Sequence, residues 1–237
     1  MLYGDVDCEE CIHFEDEDEC LGCVHYDEWF DKFVQITPAQ KLERANERKR
    51  LFHAHIPKEE VPIILSPEFM ERLNIAWKFV PPVEKENFKL YCVYCGQGYL
   101  MSSDAFRLIK VYADCPQEFI GRHLLLDDIE NNVYLLPPNF SSLFSNGSGQ
   151  SIIDEATSLA VITGLKSEIP IEEVSGDKLR ENDIRIKGVC RLNKLYLNDV
   201  LDLIPDDEIF QLFYRGATDA IRIKAQGIDA LVLPVRE

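Results

Sequence analysis

Eight cysteines are the residues of this sequence best suited to chemistry, and four of them fall as Cys8, Cys11, Cys20 and Cys23. Two Cys-x-x-Cys pairs at this spacing let four thiolates converge tetrahedrally on one Zn2+, each pair wrapping the ion with its own backbone. Four thiolates leave no open position for a substrate, so the expected role is structural: the ion holds a short segment folded that has no core of its own. Free or redox-active cysteines are the alternative, and His13 and His25 lie close enough in sequence to replace a thiolate. Cys92 and Cys95 form a third Cys-x-x-Cys, with Cys115 further on. Residues three apart on a strand point to opposite faces, so these three are expected to be buried structural cysteines rather than ligands. No nucleophile with a base, no paired carboxylates and no open metal site are evident, and no enzyme is expected.

The charge that surrounds these cysteines is uneven. Residues 1–31 contain twelve Asp or Glu and no Lys or Arg, and so hold −12 of the net −17. Residues 41–50 reverse the sign, with five bases against two acids. General nucleic-acid binding is therefore not expected, although a local basic face remains open. A hydrophobic fraction of 46% excludes a disordered chain. No run approaches the roughly 20 apolar residues of a membrane span, and the acidic start does not read as a signal peptide. A cytoplasmic protein that does not engage membranes is expected.

Turn and periodicity signals divide the rest. Thr37-Pro38 with Gln40 predicts a helix over 37–53, either a solvated connector or a phosphate-contacting face. A strand is predicted over 61–65, then a helix capped by Ser66-Pro67 with Phe69, Leu73, Ala76, Trp77 and Val80 on one face. Strands over 88–94, 99–103 and 107–112 follow, the first two joined by a hairpin at Gly96-Gln97-Gly98 that lacks the third glycine of a dinucleotide loop. Signals weaken over 117–172: extended segments at 119–129 and 132–136, a short helix at 138–144, a loop at 145–150, and strands at 151–153 and 158–169. The last fifty residues repeat the first pattern. A strand over 188–192 leads into a helix over 194–204 carrying Tyr196, Val200, Leu203 and Ile204. Three strands then alternate at period two.

Two segments, taken together, resemble the bacterial β sliding clamp, the ring that tethers DNA polymerase to its template. One is Lys194-Leu-Tyr-Leu-Asn-Asp-Val-Leu-Asp-Leu-Ile204 with Asp207-Glu208-Ile209 and the ending Ala230-Leu-Val-Leu-Pro-Val-Arg236, which resembles the clamp's last helix and its Leu/Met-Pro-Val/Met-Arg terminus. The other is Ser103-Asp104-Ala105-Phe106-Arg107-Leu108, similar to the family's Thr-Asp-Gly-His/Tyr-Arg-Leu turn.

The resemblance implies an α+β fold of repeated β-α-β-β-β units in a clamp-like arrangement, covering at most residues 61–237. The expected divisions are an acidic zinc knuckle (1–31), a helical connector (32–60), a domain with one clear and one degraded unit (61–172) and a C-terminal unit (173–237). It implies a replication accessory protein, of phage or mobile-element type, that assembles as a homo-oligomer and binds short peptide motifs of replication proteins. Ser103, Ala105, Phe106, Arg107 and Leu108 would form one wall of the peptide cleft, and Leu233, Pro234, Val235 and Arg236 the other, with apolar side chains for the peptide's leucine and phenylalanine and arginines for its carboxylates. Double-stranded DNA is the further partner of a closed ring. Clamp helices facing DNA are basic, whereas 194–204 carries Asp199 and Asp202. The alternative is a zinc-containing interaction module with the clamp fold that does not encircle DNA.

Overall fold

Ser66 starts the first described helix by accepting a hydrogen bond from the Phe69 amide at 3.1 Å, with Pro67 at the first helical position and Glu68 in the first turn, where the helix dipole favours an acid. In the computed structural model this helix, α1, spans Pro67–Trp77 and buries Phe69, Leu73 and Ala76, one side of a 3.6-residue period. The structure describes residues 57–61, 63–81, 90–127, 132–138, 140, 144, 153, 160–173, 182–186 and 189–235, together with Ala39, Glu43 and Glu47. The four cysteines of the expected zinc knuckle lie outside these residues. Ala39, Glu43 and Glu47 are helical and exposed, spaced by four on one side of the helix expected over 37–53.

Pro57–Glu237 forms one compact unit. The boundary expected between 172 and 173 falls inside it, because one sheet draws strands from both sides of that position. Numbered along the chain, its strands are β1 (Glu59–Glu60), β2 (Val93–Gly96), β3 (Tyr99–Ser103), β4 (Arg107–Tyr112), β5 (Arg122–Asp127), β6 (Asn132–Leu135), β7 (Ala160–Gly164), β8 (Ile171–Glu173), β9 (Asp183–Ile186), β10 (Cys190–Asn193), β11 (Phe210–Tyr214), β12 (Ile221–Ala225) and β13 (Ile228–Val232). The second helix, α2, spans Lys194–Leu201 and starts where Asn193 Oδ1 accepts from the Leu195 amide at 2.9 Å. Among the described residues, ten strands form one sheet in the order β1-β6-β5-β2-β3-β4-β13-β12-β11-β7, and β8, β9 and β10 form a second. The pairings are antiparallel, from Glu59 opposite Leu135 at one edge to Phe210 opposite Gly164 at the other.

The two helix-plus-three-strand units meet in the middle. β4 and β13 pair so that Arg107 faces Val232, Leu108 faces Leu231 and Val111 faces Ile228. Tight turns hold each meander in register: Gly98 and Gly227 adopt φ of 79° and 88°, a conformation that costs glycine nothing and other residues about 1–2 kcal/mol. Alternation then sorts the side chains. Leu100, Ile109, Val111, Ala230, Val232 and Ile223 join the helices' Leu73, Ala76, Leu197 and Val200 in one core, while Met101, Leu108 and Leu231 turn to the other face with Phe144 and Ile153. Ser102 lies among the core strands but stays satisfied, its hydroxyl donating to the Ala76 carbonyl at 2.5 Å.

Several elements differ from expectation. Val61, Ile63, Ile64 and Leu65 are not in a strand; Val61, Ile63 and Leu65 are half-buried against the core, Ile64 is exposed, and the described strand before α1 is the two-residue β1. The run there contains a proline, which has no N–H to give a ladder and disfavours a strand. Ile153 is helical rather than extended. Of the stretch expected as strand over 158–169, Ala160–Gly164 forms β7, after which Lys166–Glu168 turns as a 3-10 helix. Each repeated unit keeps its helix and its three-strand meander, and the C-terminal unit keeps its leading strand as β10, but neither leading strand pairs with its own meander. β1 pairs with β6, and β10 leaves the large sheet to pair with β9.

Candidate functional site

The hairpin turn between β3 and β4 is built by Asp104. Its Oδ1 accepts from the amides of Phe106 (3.0 Å) and Arg107 (2.7 Å), an arrangement a short acceptor side chain makes without help from the rest of the fold. Ser103 is buried, its hydroxyl donating to the Arg107 carbonyl at 2.6 Å and accepting from the Ala105 amide at 3.1 Å. Ala105 takes φ of 73°, a left-handed conformation.

The chain after β13 runs alongside this turn. The Leu233 amide donates to the Phe106 carbonyl at 2.9 Å, and two residues later the Val235 amide donates to the Arg191 carbonyl at 2.9 Å. Residues 233–235 are thereby pinned between the turn and β10. Phe106 is 54% and Leu233 45% exposed, two large apolar side chains joined through their backbones and open to solvent. The Phe106 ring stacks on Tyr196 of α2, centroids 5.5 Å apart and planes 23° from parallel.

Arg107 ties the turn to the helix. Its guanidinium donates to Asp104 Oδ2 from Nε (2.8 Å) and Nη2 (2.6 Å) and to Asp199 from Nη1, and it lies 4.9 Å from the Phe79 ring centre and 4.8 Å from that of Tyr196. Only 11% of its side chain is exposed. The sequence suggested an arginine offered to a ligand's carboxylates. The structure spends that charge within the chain, and Arg107 braces the groove.

Of the residues singled out from sequence, the structure brings Ala105, Phe106, Leu233, Pro234 and Val235 to one place. Leu108 points to the opposite side of the sheet, packed with Met101, Leu231, Phe144 and Ile153, and Arg236 lies outside the described residues. Tyr196, Val200, Leu203 and Ile204 were expected to form one apolar face of the helix over 194–204, and Val200 and Ile204 are buried as expected. The face actually buried is Leu197, Val200, Leu201 and Ile204, at i, i+3, i+4 and i+7, which leaves Tyr196 half-buried at its margin. That alternative face was visible in the spacing. Among the described residues, no group of three or more His, Cys, Asp or Glu could hold a metal ion, and no helix is long and apolar enough to cross a membrane.

A mostly antiparallel α+β fold in which helix-plus-three-strand units share one sheet is the class defined here. It is the sliding-clamp fold. The sliding clamp (DNA polymerase III subunit beta) of Bartonella birtlesii, solved bound to griselimycin, superposes with a TM-score of 0.51 at 10% identity, over 91% of this chain and 73% of that one. The Helicobacter pylori beta clamp bound to a DNA ligase peptide gives 0.47 at 11% identity, over 78% and 69%. The Thermotoga maritima DNA polymerase III beta subunit gives 0.44 at 14%, over 76% and 70%. No protein-family profile and no curated protein sequence matches the chain.

Proposed function

We propose that this protein is a clamp-like replication accessory that works as a binding platform rather than a catalyst, and that the groove between residues 104–106 and 233–235 receives short linear motifs of the Gln-Leu-x-Leu-Phe type. One observation carries this: the Leu233 amide bonds the Phe106 carbonyl at 2.9 Å, so segments far apart in sequence present a joined apolar surface. Ala105, Phe106, Tyr196, Leu233, Pro234 and Val235 supply apolar and aromatic contact area, and the carboxylate-paired Arg107 holds the turn against α2. A fluorescein-labelled peptide of this type should bind saturably by anisotropy and lose at least tenfold in affinity on Leu233→Asp, with circular dichroism unchanged. Absence of binding to the wild-type chain refutes the groove.

A second reading keeps the platform but not the encircled DNA, and the helices favour it. The exposed positions of α1 are Pro67, Glu68, Glu71 and Asn74, and those of α2 are Lys194, Leu195 and Asp199, so carboxylates outnumber the single lysine. A surface facing phosphates gains affinity from the opposite balance. Solution mass separates the two: a closed homo-oligomer supports a ring on DNA, and a monomer supports the module. A structural Zn2+ on Cys8, Cys11, Cys20 and Cys23 belongs to both readings. Metal analysis of the Cys8→Ser, Cys20→Ser double variant should find the ion lost.

A further inference from the structure

Two arginines flank the wall formed by residues 233–235, and they are used differently. Arg107, on the turn side, gives its guanidinium to Asp104 through two nitrogens and to Asp199 through the third. Arg191, on β10, is bonded to the wall itself, its carbonyl accepting from the Val235 amide at 2.9 Å. Its side chain is 15% exposed, and its one ion pair among the described residues is with the buried Asp183, whose Oδ2 stays 3.6 Å from Nε, beyond hydrogen-bond distance. Among the described residues nothing bonds that buried Nε.

Strand register accounts for this. Arg191 lies opposite Arg185 on β9, and Arg185 lies opposite Glu172 on β8, so the three form one row on one face of the small sheet. Cys190 and Leu192, before and after Arg191, turn to the other face and into the core. Asp183 stands opposite Asn193, which sets it diagonally from Arg191. Two guanidinium groups side by side disfavour each other, and Arg185 has the Glu172 carboxylate as its next neighbour. On the far side of Arg191 the next backbone is residue 235, part of an apolar wall. The row thus ends on a cation at the edge of the groove.

We propose that Arg191 receives a carboxylate of the bound peptide, so that the groove selects apolar motifs flanked by an acidic group. This rests on the groove reading given above and adds the chemistry of the ligand's flank. A peptide laid along residues 233–235 runs beside β10, and a carboxylate there accepts hydrogen bonds from a planar fork that suits two oxygens at once. Arg107 cannot play this part, because two carboxylates of the chain already hold it. The partial burial of Arg191 strengthens such a pair over one on open surface, where water and salt screen it. The net charge of −17 works against acidic peptides in general, so a preference for one has to come from a local cation.

The test titrates the full chain into fluorescein-labelled peptides and reads anisotropy. The parent is Gln-Leu-Ser-Leu-Phe with an amidated end; further peptides add Glu or Gln at either end, and one leaves the parent's terminal carboxylate free. The expected result is that Glu binds about fivefold more tightly than Gln at one of the two ends, and that the preference shrinks as salt rises from about 50 to 500 mM. A gain confined to the free-acid parent assigns the same site to a chain terminus instead of an acidic side chain. In Arg191→Gln the preference should disappear while the parent peptide binds as before, and Lys224→Gln, an exposed cation on β12, should leave it intact. Equal binding of the Glu and Gln peptides and of acid and amide by the wild-type chain overturns the assignment to Arg191 and leaves the groove standing. So does a preference that survives in Arg191→Gln. Failure of the wild-type chain to bind the parent peptide overturns the groove and this proposal with it. The wild-type comparison decides the matter even if the variant fails to fold.

Discussion

Leu233 gives its amide hydrogen to the carbonyl of Phe106, 2.9 Å away, and this bond extends the β4–β13 ladder one step past the point where Arg107 faces Val232. The exposed side chains beside it are held by sheet geometry rather than by their own packing. Stability and binding should therefore separate at this place.

Phe106→Ala and Leu108→Ala test that separation. Phe106 is 54% exposed, so its truncation should cost no more than about 1 kcal/mol of stability while weakening peptide binding tenfold or more. Leu108 is 5% exposed and packs with Met101 and Leu231. Its truncation should cost roughly 2–4 kcal/mol by urea unfolding. Equal destabilisation by the two would contradict the assigned geometry.

Arg107→Ala should lose roughly 2–3 kcal/mol, because it strands the Asp104 carboxylate that the guanidinium holds through two nitrogens. Arg107→Lys should recover less than half of this, since an ammonium cannot reproduce the fork that also reaches Asp199. Full rescue by lysine in denaturant titrations would mean that charge alone matters.

Ala105→Gly should stabilise the protein by about 0.5–1 kcal/mol, the relief of a left-handed alanine less glycine's larger loss of chain entropy. The measurement is the thermal midpoint, which should rise by a few degrees. A fall would show that the turn's conformation is not that of the folded protein in solution.

His123 supplies the pH dependence. It is buried between Tyr94 and Phe140, and burial, followed by the charge of Arg122, pushes its pKa down to about 4 from 6.5. The unfolded chain accepts a proton in this window that the folded chain refuses, so stability falls as pH drops from 6.5 towards 4, by up to about 3 kcal/mol. In His123→Leu this contribution should vanish. An unfolding free-energy difference between wild type and variant that stays flat from pH 7 to pH 4 would remove it.

Elements with local signals were legible in the sequence. The Ser66-Pro67 cap, the glycine turns and the period-two alternation of residues 210–214 and 221–225 each fix their structure within a few residues, and the structure agrees at those places. What sequence could not show was pairing across distance. Nothing in Glu59-Glu60 announces a strand, since β1 exists only because β6 offers it a partner. Arg107 was read as a ligand contact because an arginine beside apolar residues leaves its own partners unspecified. The partner Asp199 sits on a distant helix, and only the β4–β13 register brings the two together. Tyr196 was missed for a simpler reason: two overlapping helical faces were available in 196–204, and the alternative with four well-spaced aliphatics is the one the core selects.

The placement of β13 also constrains the order of folding. A strand from residues 228–232 sits inside the ten-stranded sheet, bonded on one side to β12 and on the other to β4, residues 107–112. During synthesis β4 therefore waits, with one edge unsatisfied, until more than a hundred further residues have left the ribosome. Contacts of that sequence separation form slowly, and an unpaired strand edge is a template for the wrong partner. Nascent chains of this protein should depend on chaperones until β13 emerges, and the Phe106–Leu233 groove should be among the last features to appear.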